Sequence, residues 1–383
     1  MNTFLNIFIC FIYNNILKRL NCCRNSVIIS FMKKILSLFL AFAVAVAFAS
    51  CSNTAKAKEK YKASFLDLFD TASTVIAYDN SQEEFDRNYQ RFYDELKTYD
   101  ELFDIYKEHE GVTNLYKVNK LAGKSPVKVD PKIIDMLTYG TEIYSFTKGK
   151  VNICMGAILE LWHNERDYGI ANPEEAKLPD MSKLKEASKH TNINNLVIDK
   201  NNNTVYFKDP EMKLDVGAIA KGYAVQQISN WAQNNLWTSA AISIGGNVST
   251  FGYKNDDGQT KWTIGIENPD TTSDDFLLKL NITDECIVTS GDYQRYYTVD
   301  GKKYCHIINP ETLMPSEYMA SVSVICEDSS FGDAMSTALF NMTIEDGKNL
   351  VDSLDGIEAV WVDKEYNKTF SKGFNQFLDN SEE

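Results

Sequence analysis

Hydrophobic positions in the first half of the chain recur mainly at helical spacing. Between residues 82 and 103, aromatic and aliphatic side chains return every three or four positions, which places them on one face of a helix. A second helix is predicted over 131–148, because Pro131 is tolerated at a first helical position, where its missing N–H is not needed. Residues 170–190 are polar and contain prolines, so they predict a loop with one short helix.

In the second half, hydrophobic and polar residues alternate more, as they do in strands. Asp300-Gly301 joins two aromatic-rich runs, and three asparagines separate 196–199 from 205–208; both patterns are typical of hairpins. Many strands with few helices between them predict an α+β fold, with mostly antiparallel sheets and flanking helices. Further strands are expected at 65–78 (with a corner at Phe69-Asp70-Thr71), 240–244, 248–252, 261–267, 276–282, 286–290, 293–299, 303–308, 320–326 and 357–362, and further helices at 217–235, 329–342 and 345–353.

Composition places the chain among globular proteins. Of its 383 residues, 44% are hydrophobic and 12% aromatic, which is too many for a disordered or collagen-like chain. The formal net charge is −14, although the first fifty residues hold five basic side chains and no acidic one. The rest of the chain is therefore more acidic still, which argues against a nucleic-acid partner.

The basic and apolar N-terminal segment is typical of a targeting signal. Met32-Lys33-Lys34 precedes an apolar run at 35–49, which is shorter than the roughly 20 residues that span a bilayer. The run ends in Phe48-Ala49-Ser50-Cys51, which resembles the lipobox of bacterial lipoproteins, whose cysteine is lipidated. An ordinary signal peptide, or a short hydrophobic helix with a chance cysteine, is the alternative. A lipidated Cys51 predicts a membrane-anchored protein of the bacterial cell envelope that faces the periplasm.

These features divide the chain into four predicted segments. Residues 1–50 form an upstream extension and a lipoprotein signal peptide, with Met32 as the natural start unless the extension is a genuine long n-region. Small and charged residues at 51–63 predict a tether from the membrane to the domain. The globular domain is expected at 64–365, and a C-terminal tail at 366–383.

The eight cysteines form no recognisable metal or disulfide pattern. Three of them precede Cys51, and the four that follow it are widely spaced, without a CxxC pair. The spacing is neither that of a disulfide scaffold nor that of a zinc site. Cys286 and Cys326 lie beside β-branched residues and are expected to be buried thiols, although the sequence leaves one disulfide open.

Several segments combine small and polar residues at turns. The turn at 215–223 opens a helix, whose N-terminal N–H groups could bind phosphate with the help of Lys221. It is not a Walker A loop, because the glycine spacing and the Lys-Ser/Thr pair are missing. A packed turn is the alternative here. The same choice between ligand contact and tight turn applies to Ser243-Ile244-Gly245-Gly246-Asn247 and to Thr289-Ser290-Gly291-Asp292-Tyr293.

One histidine and one helix carry the best candidates for chemistry. His306 ends a strand, and its ordinary pKa suits a general base, with a structural role as the alternative. Asp333 and Thr337 are four residues apart, so a carboxylate and a hydroxyl would share one face of a helix surface, as suits a hard cation such as Mg²⁺. A solvated Asp and Thr is the alternative. The remaining histidines lie in polar stretches and are expected to be solvated: His109, His163 and His190.

The order of five motifs resembles that of the ApbE family, the FAD:protein FMN transferases. The motifs are Asp-x-Gly-x-x-Ala-Lys-Gly-Tyr, Gly-Gly-Asn, Thr-Ser-Gly-Asp-Tyr, His-Ile-Ile-Asn-Pro-x-Thr and Asp-Ala-x-x-Thr-Ala-Leu. The likeness covers residues 64–363 and includes Phe69-Asp70-Thr71, Asp104-Ile105-Tyr106 with Asn119, and the segment 149–162. It implies an ApbE-like, T-fold-like architecture.

The resemblance also implies a reaction and a site. FMN would move from FAD, the substrate, to a Thr or Ser hydroxyl of an acceptor protein, such as a subunit of a membrane redox complex, with Mg²⁺ as cofactor and AMP as product. His306 would be the base, with a rate that rises through a pKa of about 6–7, and Asp292 its weaker rival. The Ala218 carbonyl would join Asp333 and Thr337 at the metal. The implied FAD contacts are Phe69, Tyr106, Asn152, Asp215, Lys221, Asn247, Ser290, Gly291, Tyr293 and Ile307.

The chain departs from the family pattern at a few of these positions. Asn152 and Asn309 stand where the family usually has Asp, and Leu313 stands where it usually has Gly. Two other functions fit the same motifs. One is an FAD pyrophosphatase that uses water as acceptor, and the other is a non-enzymatic flavin-binding lipoprotein.

Overall fold

A sheet of eight antiparallel strands forms the centre of the fold. The computed structural model describes residues 58–379, so the predictions for Met32, the signal peptide and Cys51 lie outside the described residues. The strands are β1 (Glu59–Phe65), β2 (Ser73–Asp79), β3 (Val127–Lys128), β4 (Leu196–Asp199), β5 (Thr204–Phe207), β6 (Ala240–Ile244), β7 (Asn247–Phe251), β8 (Trp262–Ile266), β9 (Leu278–Ile282), β10 (Cys286–Gly291), β11 (Tyr296–Val299), β12 (Lys302–Cys305), β13 (Ser321–Cys326), β14 (Ile357–Val362) and β15 (Lys368–Phe370). The central sheet has the order β1-β2-β6-β7-β10-β13-β14-β15; β3, β5 and β4 form a small sheet, and β8–β9 and β11–β12 are hairpins.

Helix boundaries follow the capping residues that the sequence supplies. Ser81 accepts the N–H of Glu84 at 3.2 Å and so satisfies one free amide at the start of the first helix, which confirms the prediction for 82–103. Asp130 does the same before Pro131. The helices of the described range are α1 (Gln82–Phe103), α2 (Leu115–Lys120), α3 (Pro131–Phe146), α4 (Gly156–Ala171), α5 (Met181–Ala187), α6 (Ala220–Asn235), α7 (Ser329–Phe340) and α8 (Ile344–Val351). Across residues 58–379, none of the helices has the length and apolar character to cross a bilayer.

Helices cover one face of the central sheet, and a hairpin covers the other. Helix α1 packs on β1 and β2, α6 on β6 and β7, and α7 on β10 and β13. On the opposite face, the hairpin β8–β9 and the 3₁₀ turn Phe374–Phe377 pack over Ile287, Ile325 and Val360. This layered arrangement confirms the predicted α+β class.

A smaller hydrophobic cluster lies around α4 and the hairpin β11–β12. Trp162 of α4, Tyr297 of β11 and Leu313 pack together in it. The Asp300-Gly301 turn of this hairpin is confirmed, and both residues have the positive φ of a tight hairpin turn. Helix α4 itself was not among the predicted helices.

The predicted domain boundaries at both ends are too narrow. The strand predicted over 65–78 is two strands, β1 and β2, on either side of the Phe69-Asp70-Thr71 corner. Because β1 begins at Glu59, the last five residues of the predicted tether pair in the sheet. Lys60 and Lys62 are exposed on this edge strand, where charged side chains prevent further strand pairing. At the other end, residues 366–379 contain β15 and core side chains, so they are no tail.

The four cysteines within the described residues are free and buried, as expected for Cys286 and Cys326. These two lie directly opposite each other on β10 and β13, with their sulfur atoms 3.7 Å apart. Each S–H donates to a carbonyl oxygen, Cys286 to that of Cys326 and Cys326 to that of Asp328. The reduced thiols are therefore part of the hydrogen bonding at the end of these strands.

The C-terminal segment gives the first testable prediction. Phe374 is fully buried against the hairpin face of the sheet, so Phe374→Ala removes a core ring and should lower the free energy of unfolding by about 3–5 kcal/mol. Asn375→Ala changes an exposed neighbour and should shift it by less than about 0.5 kcal/mol. Urea unfolding of both variants checks this; equal stabilities would mean that the segment is a dispensable tail.

Candidate active site

Helices α6 and α7 approach so closely at Gly222 that no side chain fits there. A β-carbon added to Gly222 would lie 2.3 Å from the β-carbon of Asp333 and 2.4 Å from the carbonyl oxygen of Ser329. Both distances are far below van der Waals contact, so this position of the turn at 215–223 requires glycine. The contact puts the first turn of α6 directly against Asp333.

Asp333 is buried at this contact, with 5% of its surface exposed. One of its carboxylate oxygens accepts the N–H of Gly222 at 2.7 Å. Burial raises the pKa of Asp333, whereas the charge of Lys221, the Gly222 N–H and the Asn247 side chain lower it. The expectation of a carboxylate on the helix surface is therefore wrong, because α6 covers this side of α7.

Three oxygen atoms near this contact are suited to a hard cation. The N–H of Gly222, which in a regular helix would bond to the Ala218 carbonyl, turns to Asp333 instead, and within residues 58–379 that carbonyl accepts no hydrogen bond. The hydroxyl of Thr337, one turn after Asp333, has no hydrogen-bond partner in the same range. Mg²⁺ takes few protein oxygens and completes its shell with water and phosphate, so a carboxylate, a carbonyl and a hydroxyl fit it.

Lys221 brings positive charge to the same place. It is half-buried in the first turn of α6, and its charge lowers the pKa of both Asp333 and His306. In the described part of the chain, its ammonium group forms no ion pair with an acidic side chain. An unpaired ammonium at a helix N-terminus is suited to an anion such as a phosphate group.

His306 is held in one tautomer by a backbone carbonyl. Its own N–H and its Nδ1 lie 3.0 and 3.1 Å from the carbonyl oxygen of Arg295. Because a carbonyl oxygen only accepts, Nδ1 carries the proton and Nε2 carries the lone pair. Burial, together with the charges of Lys221 and Arg295, lowers the pKa of His306 to about 3. The expected pKa of about 6–7 is therefore wrong for the free protein, in which this imidazole is a neutral base.

Asp292 does not have the environment of a rival base. Its carboxylate lies 2.5 Å from the ammonium of Lys364, and its N–H donates to the carbonyl of Ala320. Because Asp292 already has a cationic partner on the β13–β14 side of the sheet, the structure favours His306 over it.

An exposed aromatic ring stands beside a histidine that the sequence placed in solvent. Tyr106 is 62% exposed, and its N–H donates to the Asp104 carboxylate, which fixes the loop. Its ring lies 6.0 Å from the ring of His163, whose Nε2 is 4.0 Å from the carboxylate of Asp215. Burial lowers the pKa of His163; the carboxylate of Asp215 opposes this shift, and the charge of Arg166 on the same helix face adds to it. His163 and Arg166 were missed because α4, which presents both, was not predicted.

Three of the side chains predicted to contact FAD pack or form hydrogen bonds within the protein. Asn152 donates to the Thr191 carbonyl and accepts the N–H of Cys154, so both ends of its amide are used. Tyr293 is buried with its ring against Gly291, and it offers no free aromatic wall. The side chain of Ile307 packs in the core. Each of these side chains takes part in the packing or hydrogen bonding of the fold, and contact with FAD at these positions stays a prediction.

Other predicted contacts lie next to the helix crossing or to the corner. Asn247 is buried, and its side chain lowers the pKa of Asp333. The hydroxyl of Ser290 lies 2.8 Å from that of Ser336, the neighbour of Thr337 on α7. Phe69 is half-buried in the corner, where its N–H donates to Asp100 at 2.7 Å. Asp215 accepts the N–H of Gly217 at 2.9 Å, so it lies in the turn that leads into α6.

Asn309 and Leu313, the two residues after His306 that differ from the family pattern, form a turn. Asn309 is buried, and its side-chain oxygen accepts the N–H of Glu311, as an aspartate would. Leu313 adopts a positive φ of 62°, and its carbonyl accepts the indole N–H of Trp162. The Leu313 side chain packs in the cluster around α4, which offsets the strain that a glycine would avoid.

Comparison with known proteins shows which family this chain resembles. The sequence profile of the ApbE family matches residues 69–361. The chain belongs to the ApbE family. Among its relatives, the FAD:protein FMN transferase of Klebsiella pneumoniae (strain 342) is 28% identical over 275 residues, which cover 72% of this chain and 81% of that protein. The enzyme of the same name from Treponema pallidum is 29% identical over 282 residues, covering 69% and 76%.

Solved structures of ApbE proteins share the fold. The ApbE protein of Thermotoga maritima superposes with a TM-score of 0.73 at 28% identity, covering 84% of this chain and all of that one. The apo flavinyl transferase ApbE of Pseudomonas stutzeri superposes with a TM-score of 0.69 at 22% identity, covering 84% and 97%. The predicted family and its ApbE-like architecture are confirmed.

The neutral state of His306 is directly testable. In an NMR titration of the free protein, the imidazole signal that is lost in His306→Gln should stay that of a neutral ring down to about pH 5, because the fold lowers its pKa far below the ordinary value. Lys221→Gln should raise this pKa, since it removes a nearby positive charge. A titration midpoint at or above the ordinary histidine value would contradict the assignment.

Proposed function

We propose that this ApbE-family protein transfers FMN from FAD to a Thr or Ser hydroxyl of an acceptor protein and releases AMP. The observation that carries the proposal is the position of Lys221: its unpaired ammonium stands in the first turn of α6 beside the buried carboxylate of Asp333, and its charge lowers the pKa of both Asp333 and the neutral imidazole of His306. The names of the Klebsiella pneumoniae and Treponema pallidum relatives support the same reaction.

The phosphate end of the substrate would lie at the first turn of α6. Lys221 and the free N–H groups of this turn would hold the pyrophosphate, because both present positive charge to it. Asp333, the hydroxyl of Thr337 and the carbonyl of Ala218 would hold Mg²⁺, which when bound neutralises charge on the phosphate oxygens. Burial of Asp333 keeps water from competing for the carboxylate.

His306 would act on the acceptor hydroxyl. Its Nε2 takes the proton as the hydroxyl oxygen forms a bond to the phosphorus of the FMN half, and the bond from that phosphorus to the bridging oxygen breaks so that AMP leaves. Because Nδ1–H donates a hydrogen bond to the carbonyl of Arg295, only Nε2 is left to exchange a proton with the acceptor. A hydroxyl has a pKa far above neutrality, so a positioned base is worth roughly 10²–10⁴-fold in rate.

The aromatic end of FAD would pack on Tyr106. This ring is exposed, while the loop that carries it is fixed by Asp104 and by the amide of Asn114, which donates to the carbonyl of Lys107. A fixed and exposed aromatic face suits stacking with a heterocycle. The ring of His163 lies next to that of Tyr106, tilted by 48°.

An assay of AMP release tests the proposal. With Mg²⁺ and a peptide that bears an exposed Thr, AMP and flavinylated peptide should form together; AMP without peptide dependence would indicate the pyrophosphatase, and bound FAD without turnover the binding protein. Asp333→Asn should reduce the rate by about 10²-fold or more, because neutralising phosphate charge is worth several kcal/mol. Thr337→Val should weaken the Mg²⁺ response with little change of shape.

The matched control is Glu345→Gln, which removes an exposed carboxylate of α8 away from the site and should leave the rate unchanged. Asp333 also holds the N–H of Gly222, so the melting temperature of Asp333→Asn is measured on the same preparation. If folded Asp333→Asn retains the parent rate and Mg²⁺ response, the metal assignment is wrong.

We also propose that the protein is a lipoprotein of the cell envelope, with the lipid on Cys51 and the domain facing the periplasm. The support is the lipobox-like Phe48-Ala49-Ser50-Cys51 at the end of the apolar run. A membrane position would bring the site near subunits of membrane redox complexes, which we propose as acceptors.

Cys51→Ala should abolish labelling with radioactive fatty acid and release the protein from the membrane fraction, because a diacylglyceryl group together with an N-acyl chain anchors a protein lastingly. Cys10→Ala, upstream of the proposed cleavage, is the control and should leave labelling intact. Retention of Cys51→Ala in the membrane with undiminished labelling would refute the lipidation.

A further inference from the structure

We propose that Arg295 is a positioning residue for His306: its carbonyl oxygen fixes the orientation of the imidazole, and its guanidinium anchors that carbonyl to the Phe69-Asp70-Thr71 corner. The inference rests on the proposed role of His306 as the base. It concerns a residue outside the sites assigned above, and it follows from hydrogen bonds at both ends of the arginine.

The first end is the hairpin β11–β12. Tyr296 pairs with Cys305 in this hairpin, so Arg295 and His306 occupy the next positions of the same ladder. The backbone N–H of His306 donates to the Arg295 carbonyl, and Nδ1 of the same residue donates to the same oxygen. The direction of Nε2 is therefore set by where the Arg295 carbonyl stands.

The second end is the corner between β1 and β2. The guanidinium of Arg295 donates to the carbonyl of Asp70 at 3.2 Å. Phe69 and Asp70 both have positive φ, 54° and 49°, which is a costly conformation for residues other than glycine. The carboxylate of Asp100 accepts the N–H of Phe69 and so stabilises the corner. Arg295 thus links the loose end of a two-stranded hairpin to a corner of the central sheet.

The charge of Arg295 acts on the same ring. Lys221, Arg295 and Arg166 are the cations whose charges lower the pKa of His306, and the bond to the Arg295 carbonyl opposes them. Arg166 forms an ion pair with Asp167, whereas Arg295 has no carboxylate partner within residues 58–379. Arg295 is exposed, so water rather than a carboxylate solvates its guanidinium. Removing it should let the imidazole protonate more readily and should also loosen the carbonyl that fixes the tautomer.

The test compares Arg295→Gln and Arg295→Lys with Arg166→Gln as matched control. Arg166→Gln removes another positive charge that lowers the pKa of His306, although this one is paired with Asp167, and Arg166 donates to neither His306 nor Asp70. In Arg295→Gln we expect kcat at saturating FAD to fall about tenfold or more while Kd for FAD changes less than about threefold, the pattern of a lost transition-state interaction. Arg295→Lys keeps the positive charge but lacks the planar guanidinium, so its kcat should lie between those of the parent protein and Arg295→Gln.

NMR of the imidazole nitrogens supplies a readout that does not depend on turnover. In Arg295→Gln the ring should lose its single Nδ1–H tautomer, and its titration midpoint should rise by more than in Arg166→Gln. If His306→Gln turns over normally, the proposed base is wrong, but the tautomer readout still tests the link to Arg295.

Three outcomes would overturn the positioning role. One is a folded Arg295→Gln, judged by its melting temperature, with unchanged kcat and imidazole signals. Another is a loss confined to FAD affinity, which would place the guanidinium on the substrate. The third is an equal effect from Arg166→Gln, which would reduce the role of Arg295 to that of a distant charge.

Discussion

The site depends on the contact between α6 and α7 at Gly222. Because no β-carbon intervenes, the N–H of Gly222 reaches the Asp333 carboxylate, and the same bond leaves the Ala218 carbonyl without its usual helical partner. One close approach therefore creates both the buried carboxylate and the free carbonyl. Lys221, the residue before Gly222, is carried to the same place by the same turn. Loss of the contact would separate the phosphate-binding groups from the cation-binding ones.

Cationic side chains act on His306 in the free protein. Lys221 and Arg295 both stand near His306 without an ion pair among the described residues, and burial adds to their effect on the pKa of this histidine. Lys221 is half-buried, so partial desolvation of its ammonium is costly in the absence of an anion. A substrate with two phosphate groups would offset that cost, so neutralisation of the positive charge would favour its binding. Because the chain as a whole is negatively charged, these positive side chains distinguish the site from the rest of the protein.

Helices and strands could be predicted from the sequence where a residue pattern has only one physical explanation. The helix over Gln82–Phe103 was predicted because its apolar residues recur on one face. Helix α4 was missed because it begins with Gly156 without a side-chain cap and has apolar residues on more than one side, so no single face identifies it. Strand β1 looked like a tether because its outward residues are lysines, and only pairing with β2 reveals the inward ones. The order of motifs located His306 and Asp333, whereas the burial of Asp333 and the pairing of Asp292 with Lys364 come from contacts distant in sequence.

The corner at Phe69 and Asp70 has a consequence for how the active form arises. Its unfavourable backbone is held by Asp100 and Arg295, and Arg295 in turn holds His306, so residues more than two hundred positions apart must be in place together. Such long-range contacts are made late in folding, since each requires a large loop to close. A chain that has folded only in part would then lack both the oriented base and the helix crossing. Incompletely folded molecules would therefore not carry out the proposed transfer.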